Sequence, residues 1–285
     1  MNKKAVTTKL LIGLILMLCS LGTIYSCCLQ GKYIEKDIGP HAKHLPRNSF
    51  TLVEVSHKIV TDSCVGTMKQ CAEFQKGVTL DTLELRGSGA VIAHEFGLSY
   101  VLTAAHVCDQ TFPTQVKVGD VLHKVKIESK IIFYDLHGSG HEGKIVYADH
   151  KNDICIVKSP GIWGTPASIA KDMVEPGERV FNIAAPFGIY SPGMALTFQG
   201  FYSGQDMRGN EFYSVPARPG SSGSPIFNSN GEIVSVVHSA SVRFEHLALG
   251  SRLKVIQDAV NEYIPREKDM EKHIGDLMYG IPSVP

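Results

Sequence analysis

The chain has 285 residues, 44% apolar and 20% charged, which is enough length to bury a core and an ordinary globular balance. Lys plus Arg and Asp plus Glu are equal at 28 each. Neither a basic surface for nucleic acid nor an acidic face for a polycation is therefore expected.

In chain order, Lys3, Lys4 and Lys9 precede an apolar run from Leu10 to about Ile24. A positive flank before an apolar stretch of this length reads as a signal peptide or short signal anchor, so residues 1–27 are expected to lie outside the fold. Ile24-Tyr25-Ser26-Cys27 resembles a bacterial lipobox, with Cys27 as the residue that would be lipidated. Residues 28–50 are polar, carry Gly39, Pro40 and Pro46, and read as a tether. Four cysteines remain in the body, Cys64, Cys71, Cys108 and Cys155. Export permits disulfides, and Cys64 with Cys71 or Cys108 with Cys155 could bridge. All three full pairings stay open, as does a buried free thiol at Cys155.

From residue 51 the chain breaks into short runs rich in Val, Ile, Thr, Tyr and Phe. The expected strands are Ser88–Ala93, Tyr100–Thr103, Val116–Val118, Val121–Ile127, Ile145–Tyr147, Ile154–Val157, Val180–Ile183, Ala195–Tyr202, Phe212–Val215, Pro225–Phe227 and Ile233–His238. So many short strands with turn residues between them indicate an all-β barrel or sandwich. Ala93-His94-Glu95-Phe96-Gly97 and Asn228-Ser229-Asn230-Gly231 read as hairpin turns. Leu253, Ile256, Val260 and Ile264 recur at helical spacing. A soft boundary falls where Pro160, Gly161, Pro166, Pro176 and Gly177 cluster, and residues 266–285 read as a tail.

Three segments carry chemistry. Tyr100-Val-Leu-Thr-Ala-Ala-His106 runs a strand into a histidine, Lys151-Asn-Asp153-Ile opens an apolar strand with an acid, and Pro219-Gly-Ser-Ser222-Gly-Ser-Pro holds a serine in a glycine-rich turn. A serine hydroxyl needs an adjacent base to act as nucleophile near neutral pH. Histidine suits that task, and a carboxylate fixes its tautomer. Gly220 and Gly223 allow a turn tight enough to aim the N–H groups of Gly220 and Ser222 at a developing oxyanion. Asp149, four residues before Asp153, is a competing acid.

These motifs, in the order His, Asp, Ser, resemble the chymotrypsin-clan serine proteases. Gly87-Ser-Gly-Ala-Val-Ile92 also resembles the strand before the catalytic-His hairpin of bacterial members. The resemblance implies two six-stranded antiparallel β-barrels, over 51–160 and 161–265, closed by a C-terminal helix. It implies a serine endopeptidase acting on polypeptides through His106, Asp153 and Ser222, with no cofactor and no metal. In that clan Ala217 and the strand ending at His238 would line the specificity pocket. A His there is similar to the one that binds acidic side chains in glutamyl endopeptidases, although Pro216-Ala217-Arg218 lacks the expected hydroxyl. No Asp occupies 214–218, which disfavours a Lys or Arg preference.

Asp135, His137, His141 and Glu142 could ligate a metal, but the Gly-rich setting reads as a mobile loop. Trp163 and Phe187 read as core or interdomain packing. The short stretch after the helix leads us to expect a stand-alone protease domain, without the C-terminal peptide-binding domain of the HtrA type. A rival reading is an inactive protease-like surface binding module.

Overall fold

The computed structural model describes residues 45–67, 71–72, 74–119, 121–241, 244 and 246–265. The leader, the Cys27 site and the tail after residue 265 lie outside the described residues. The strands and the long helix all belong to one unit, Pro46–Pro285. Among the described residues, no helix is long and apolar enough to cross a membrane.

The first seven strands are β1 (Phe50–Val65), β2 (Thr79–Glu95), β3 (Leu98–Thr103), β4 (Gln115–Val118), β5 (Val121–Asp135), β6 (Gly140–Asp149) and β7 (Ile154–Pro160). They pair in the order β1-β2-β3-β7-β6-β5, and β5 returns to β1, closing a six-stranded antiparallel barrel with β4 added to β5. The long β1, absent from the strands expected from the sequence, pairs with β2 on one side and β5 on the other. Val53, Val91, Val101, Phe133, Val157 and Trp163 fill the interior.

The remaining strands are β8 (Arg179–Ala184), β9 (Tyr190–Ser191), β10 (Met194–Gln205), β11 (Glu211–Tyr213), β12 (Pro225–Phe227), β13 (Ile233–Ala240) and β14 (Ala248–Gly250). They run β11-β14-β13-β12-β8-β10, with β10 closing on β11 and β9 added to β10. The second barrel is thus also six-stranded. The helix Leu253–Tyr263 buries Leu253, Ile256 and Ala259, and Tyr263 stacks on Tyr147 of the first barrel at 4.2 Å. Ile264 lies one residue past the helix and is buried.

Local chemistry explains the turns. The β2–β3 hairpin is tighter than expected: Glu95 pairs with Leu98, and Phe96 and Gly97 both take positive φ, as a two-residue primed turn demands. In the β12–β13 turn, Asn228 Oδ1 accepts from the N–H groups of Asn230 and Glu232, both at 2.9 Å.

Two expectations are corrected. The Asp135–His141 stretch is an ordered turn, because Asp135 Oδ1 accepts from His137 N and Ser139 N while Oδ2 meets His141 Nε2 at 3.1 Å. His141 in turn lies flat on Trp163 at 4.3 Å. Phe187 is not packed: its ring is 66% exposed, because the backbone of its turn, with φ at 54°, is committed to a bond from Phe187 N to Pro219 O.

Ser88 joins the two barrels. It is fully buried in β2, its N–H donates to Ser222 O at 2.8 Å, and its hydroxyl donates to Gly220 O at 2.8 Å. The same hydroxyl accepts from Ala185 N at 2.9 Å, and the Ser88 carbonyl accepts from Thr103 Oγ1. Ser88→Ala strands a buried carbonyl and a buried N–H. Urea denaturation is expected to show a loss of about 1–3 kcal/mol. A loss under about 0.5 kcal/mol would place the joint elsewhere.

The second barrel contains a buried acid. Glu211 accepts from Tyr213 Oη at 2.8 Å, and burial pushes its pKa from 4.5 up to about 7 against that bond and the Arg252 charge. The folded state therefore keeps a proton that the unfolded chain releases, so this group lowers stability as pH rises from 4.5 to about 7. Glu211→Gln is expected to raise the thermal midpoint at pH 8 and to flatten its decline above pH 5. An unchanged pH profile would count against this account.

Candidate active site

His106 lies on a single helical turn, Ala105–Cys108, directly after β3. Ala104 and Ala105 are fully buried, and side chains this small let the turn press against the barrel. Asp153 enters β7 from the left-handed region, with φ at 54°, which Asp tolerates better than most residues. Its Oδ1 accepts from His106 N at 2.9 Å and its Oδ2 meets His106 Nδ1 at 2.6 Å. Burial pushes the Asp153 carboxyl up, but the hydrogen bonds from the His106 ring and backbone outweigh it and hold the pKa below the usual carboxylate range. An ionised Asp153 places the imidazole proton on Nδ1 and leaves Nε2 as a base. The Cys108–Cys155 disulfide ties the two segments together, each cysteine two residues beyond its partner in the pair, and Cys64–Cys71 forms the second bridge.

Asp149 has different work. Its Oδ1 accepts from Lys151 N and Asn152 N, and its Oδ2 accepts from Asn152 Nδ2. It shapes the turn that presents Asp153. From the second barrel, Ser251 Oγ donates to Asn152 O at 2.8 Å and Arg252 Nη2 donates to Asn152 Oδ1 at 3.2 Å.

Ser222 sits in the turn before β12. Its neighbours are spoken for: Ser221 Oγ accepts from Arg218 N, and Ser224 Oγ accepts from Asn182 Nδ2. Gly220 and Gly223 both take positive φ. A Cβ on Gly220 would stand 2.5 Å from Ala185 O, and one on Gly223 would collide with Thr103 Oγ1 and Ser88 O. Only glycine lets this turn lie flat against the His106 segment. The N–H groups of Ser221, Gly223 and Ser224 donate to Arg218 O, Val237 O and Ser221 O. Those of Gly220 and Ser222 have no acceptor among the described residues. A point 2.9 Å from Ser222 O, where a Gly87 Cβ would sit, is only 2.7 Å from Val107 Cγ1, next in chain to His106. The serine backbone and the histidine turn thus share one contact zone. Among the described residues, no hydrogen bond joins the Ser222 side chain to His106, and such bonds are often loose without substrate.

Two cavities open here. One, of about 420 Å³, is lined by Ser222, Ala217, Val237, Ser239 and Ala240 among others. The other, of about 530 Å³, is lined by His106, Asp153, His238 and Ser239 with residues of both barrels. Ala217 thus lies beside Ser222, whereas His238 lies beside the His106–Asp153 pair. A β-bulge between Val237 and Ser239 interrupts the register at His238. Burial lowers the His238 pKa, against the pull of Asp153. The sequence reasoning singled out neither Ser88 nor the Asn152–Ser251 tie, since serines and asparagines in turns are common and only the three-dimensional pairing distinguishes these.

The chain resembles known proteins in this region. The trypsin-like peptidase domain family matches residues 87–236, just over half of the chain. Proteins named probable periplasmic serine endoprotease DegP-like are similar. That of Marinomonas sp. (strain MWYL1) is 26% identical over 208 residues, covering 68% of this chain and 39% of that protein. That of Ectopseudomonas mendocina (strain ymp) is 28% identical over 156 residues, covering 53% and 28%. The chain thus spans well under half the length of these relatives. Among solved structures, a serine endoprotease from Yersinia pestis superposes with TM-score 0.53 at 16% identity, over 79% of this chain and 65% of that one. The active form of the Rv3671c protease from M. tuberculosis gives 0.52 at 17%, over 80% and 86%. With its two closed antiparallel barrels and this match, the chain belongs to the family of trypsin-like peptidase domains.

Proposed function

We propose that the protein is a serine endopeptidase in which Ser222 is the nucleophile, His106 the general base and Asp153 the acid that orients it. The carrying observation is the Asp153 carboxylate bonded to both the ring and the backbone of His106, beside a glycine turn with two unengaged N–H groups. Ser222 Oγ attacks the scissile carbonyl while His106 Nε2 takes its proton. The Gly220 and Ser222 N–H groups hold the oxyanion. The C–N bond breaks as His106 returns the proton to the leaving amine. Water then adds to the acyl-enzyme, again giving a proton to His106, and the acid product departs as Ser222 regains its hydroxyl.

An extended polypeptide suits the open edge of β13. Pairing with β12 ends at Val236, and Ser239 and Ala240 are exposed. The Ala217 cavity then receives the side chain before the cleaved bond. His238, next in chain to Ser239, is the second residue proposed to bind the substrate. We place the protein outside the cytoplasm, as the relatives named periplasmic and the two disulfides support. Retention at a membrane through residues 1–27 and Cys27 is part of the same proposal and rests on the sequence alone.

A fluorophosphonate probe is expected to label the wild type and not Ser222→Ala, with both variants folded. A folded wild type that stays unlabelled overturns the assignment in favour of a binding module. Asp153→Asn is expected to keep the fold and lower kcat/KM on the order of 10⁴-fold, as the wrong tautomer does in this mechanism. Asp149→Asn, which alters a turn rather than the base, is expected to cost far less. The reverse ranking would reassign the acid.

A further inference from the structure

The 530 Å³ cleft beside His106 gathers several basic side chains. The chain as a whole is neutral, yet His150, Lys151, Arg208 and Arg252 all line this one space. Asp153 is the single carboxylate among its lining residues, and His106 engages both of its oxygens.

Hydrogen bonding does not remove the charge of the nearby acids, but Asp109, Asp149, Asp206 and Glu211 are not among the residues that line the cleft. Asp206 accepts from Arg208 N, Asn210 N and Asn210 Nδ2, which uses its oxygens to hold the β10–β11 hairpin. Asp149 is occupied by the Lys151 and Asn152 N–H groups. Glu211 is buried behind Arg252 and shares its carboxyl with Tyr213. Asp109 meets His150 at 3.0 Å. Among the described residues, no ion pair to a carboxylate is formed by Lys151, Arg208 or Arg252. All three are exposed. Arg252 is nonetheless steered, since its Nη2 donates to Asn152 Oδ1.

The cleft adjoins the cavity at Ser222, since Ser239 lines both. A peptide that places one side chain beside Ala217 and runs along the open β13 edge past Ser239 carries its preceding residues over these cations. We infer that the cleft selects polypeptides with Asp or Glu within the few residues preceding the cleaved bond. Lys151, Arg208 and Arg252 serve as the specificity-determining groups. This rests on the proposed endopeptidase activity and adds its substrate class.

The test first takes a sequence cleaved by the wild type from an unbiased peptide library. It then compares peptides carrying Glu or Gln at each of the few positions preceding the cut. The Glu peptide is expected to be favoured in kcat/KM by about fivefold or more at one position or several, the upper end for one exposed charge pair. The preference should fade as ionic strength rises from about 0.01 M to about 1 M, where the Debye length shrinks from about 30 Å to about 3 Å. In the double variant Lys151→Glu/Arg208→Glu the Glu-to-Gln ratio should fall to one or below, with Arg208→Gln intermediate. Cleavage with a ratio near one at low salt, or a ratio that survives the charge reversal, overturns this inference and leaves the endopeptidase reading intact. Absence of both fluorophosphonate labelling and cleavage of any peptide overturns the two together.

Discussion

The site depends on one buried hydroxyl, that of Ser88, which belongs to neither His106 nor Ser222. Ser88 reaches out of the first barrel and meets hydrogen-bonding demands from the second on three atoms of two loops, Gly220 O, Ser222 O and Ala185 N. Gly220 and Ala185 are buried, so water does not readily replace a partner lost there, as it does at surface contacts. Gly87 and Gly223 on either side of it have no room for a side chain. The apposition of the His106 and Ser222 segments is therefore a matter of backbone packing first and of the His106 and Ser222 side chains second.

Electrostatics divides the acids by environment. Asp153, half-buried but bonded twice by His106, is held toward its ionised form. Glu211, buried with a phenol as its partner, is pushed the other way. Asp149, four residues before Asp153, works as a turn former whose bonds to Asn152 reach, through Ser251 and Arg252, into the second barrel. Asn152, next in chain to Asp153, thus ties the turn that carries this acid to Arg252 of the adjoining cleft.

Much of this was legible in the sequence because the decisive segments are local. A strand ending in Ala-Ala-His106, an Asp153 opening an apolar strand and a serine between Gly220 and Gly223 each announce their own geometry. Short β-branched runs and turn residues indicated an all-β barrel or sandwich, and the resemblance carried by the three motifs implied two barrels. What escaped was long-range or orientational. β1 mixes Glu54, His57 and Lys58 with its valines, and the buried His57 meets Ser129 of β5 through its Nδ1 at 2.8 Å. The Gly-rich Asp135–His141 segment reads as mobile until one carboxylate is seen to pin it. The direction of His238 hangs on a single-residue bulge that no composition reveals. Cysteine pairing is likewise a property of the folded chain.

The Cys108–Cys155 bridge has a consequence beyond the native state. It spans 47 residues, including β4, β5 and β6, and closing such a loop removes about 4 kcal/mol worth of freedom from the denatured chain on the entropic account. An oxidised chain that loses all its strands still keeps its prospective base and its orienting acid tethered a few residues apart. The covalent link acts as a memory of the dyad, so a chain opened by transient stress begins its return with that pairing already chosen.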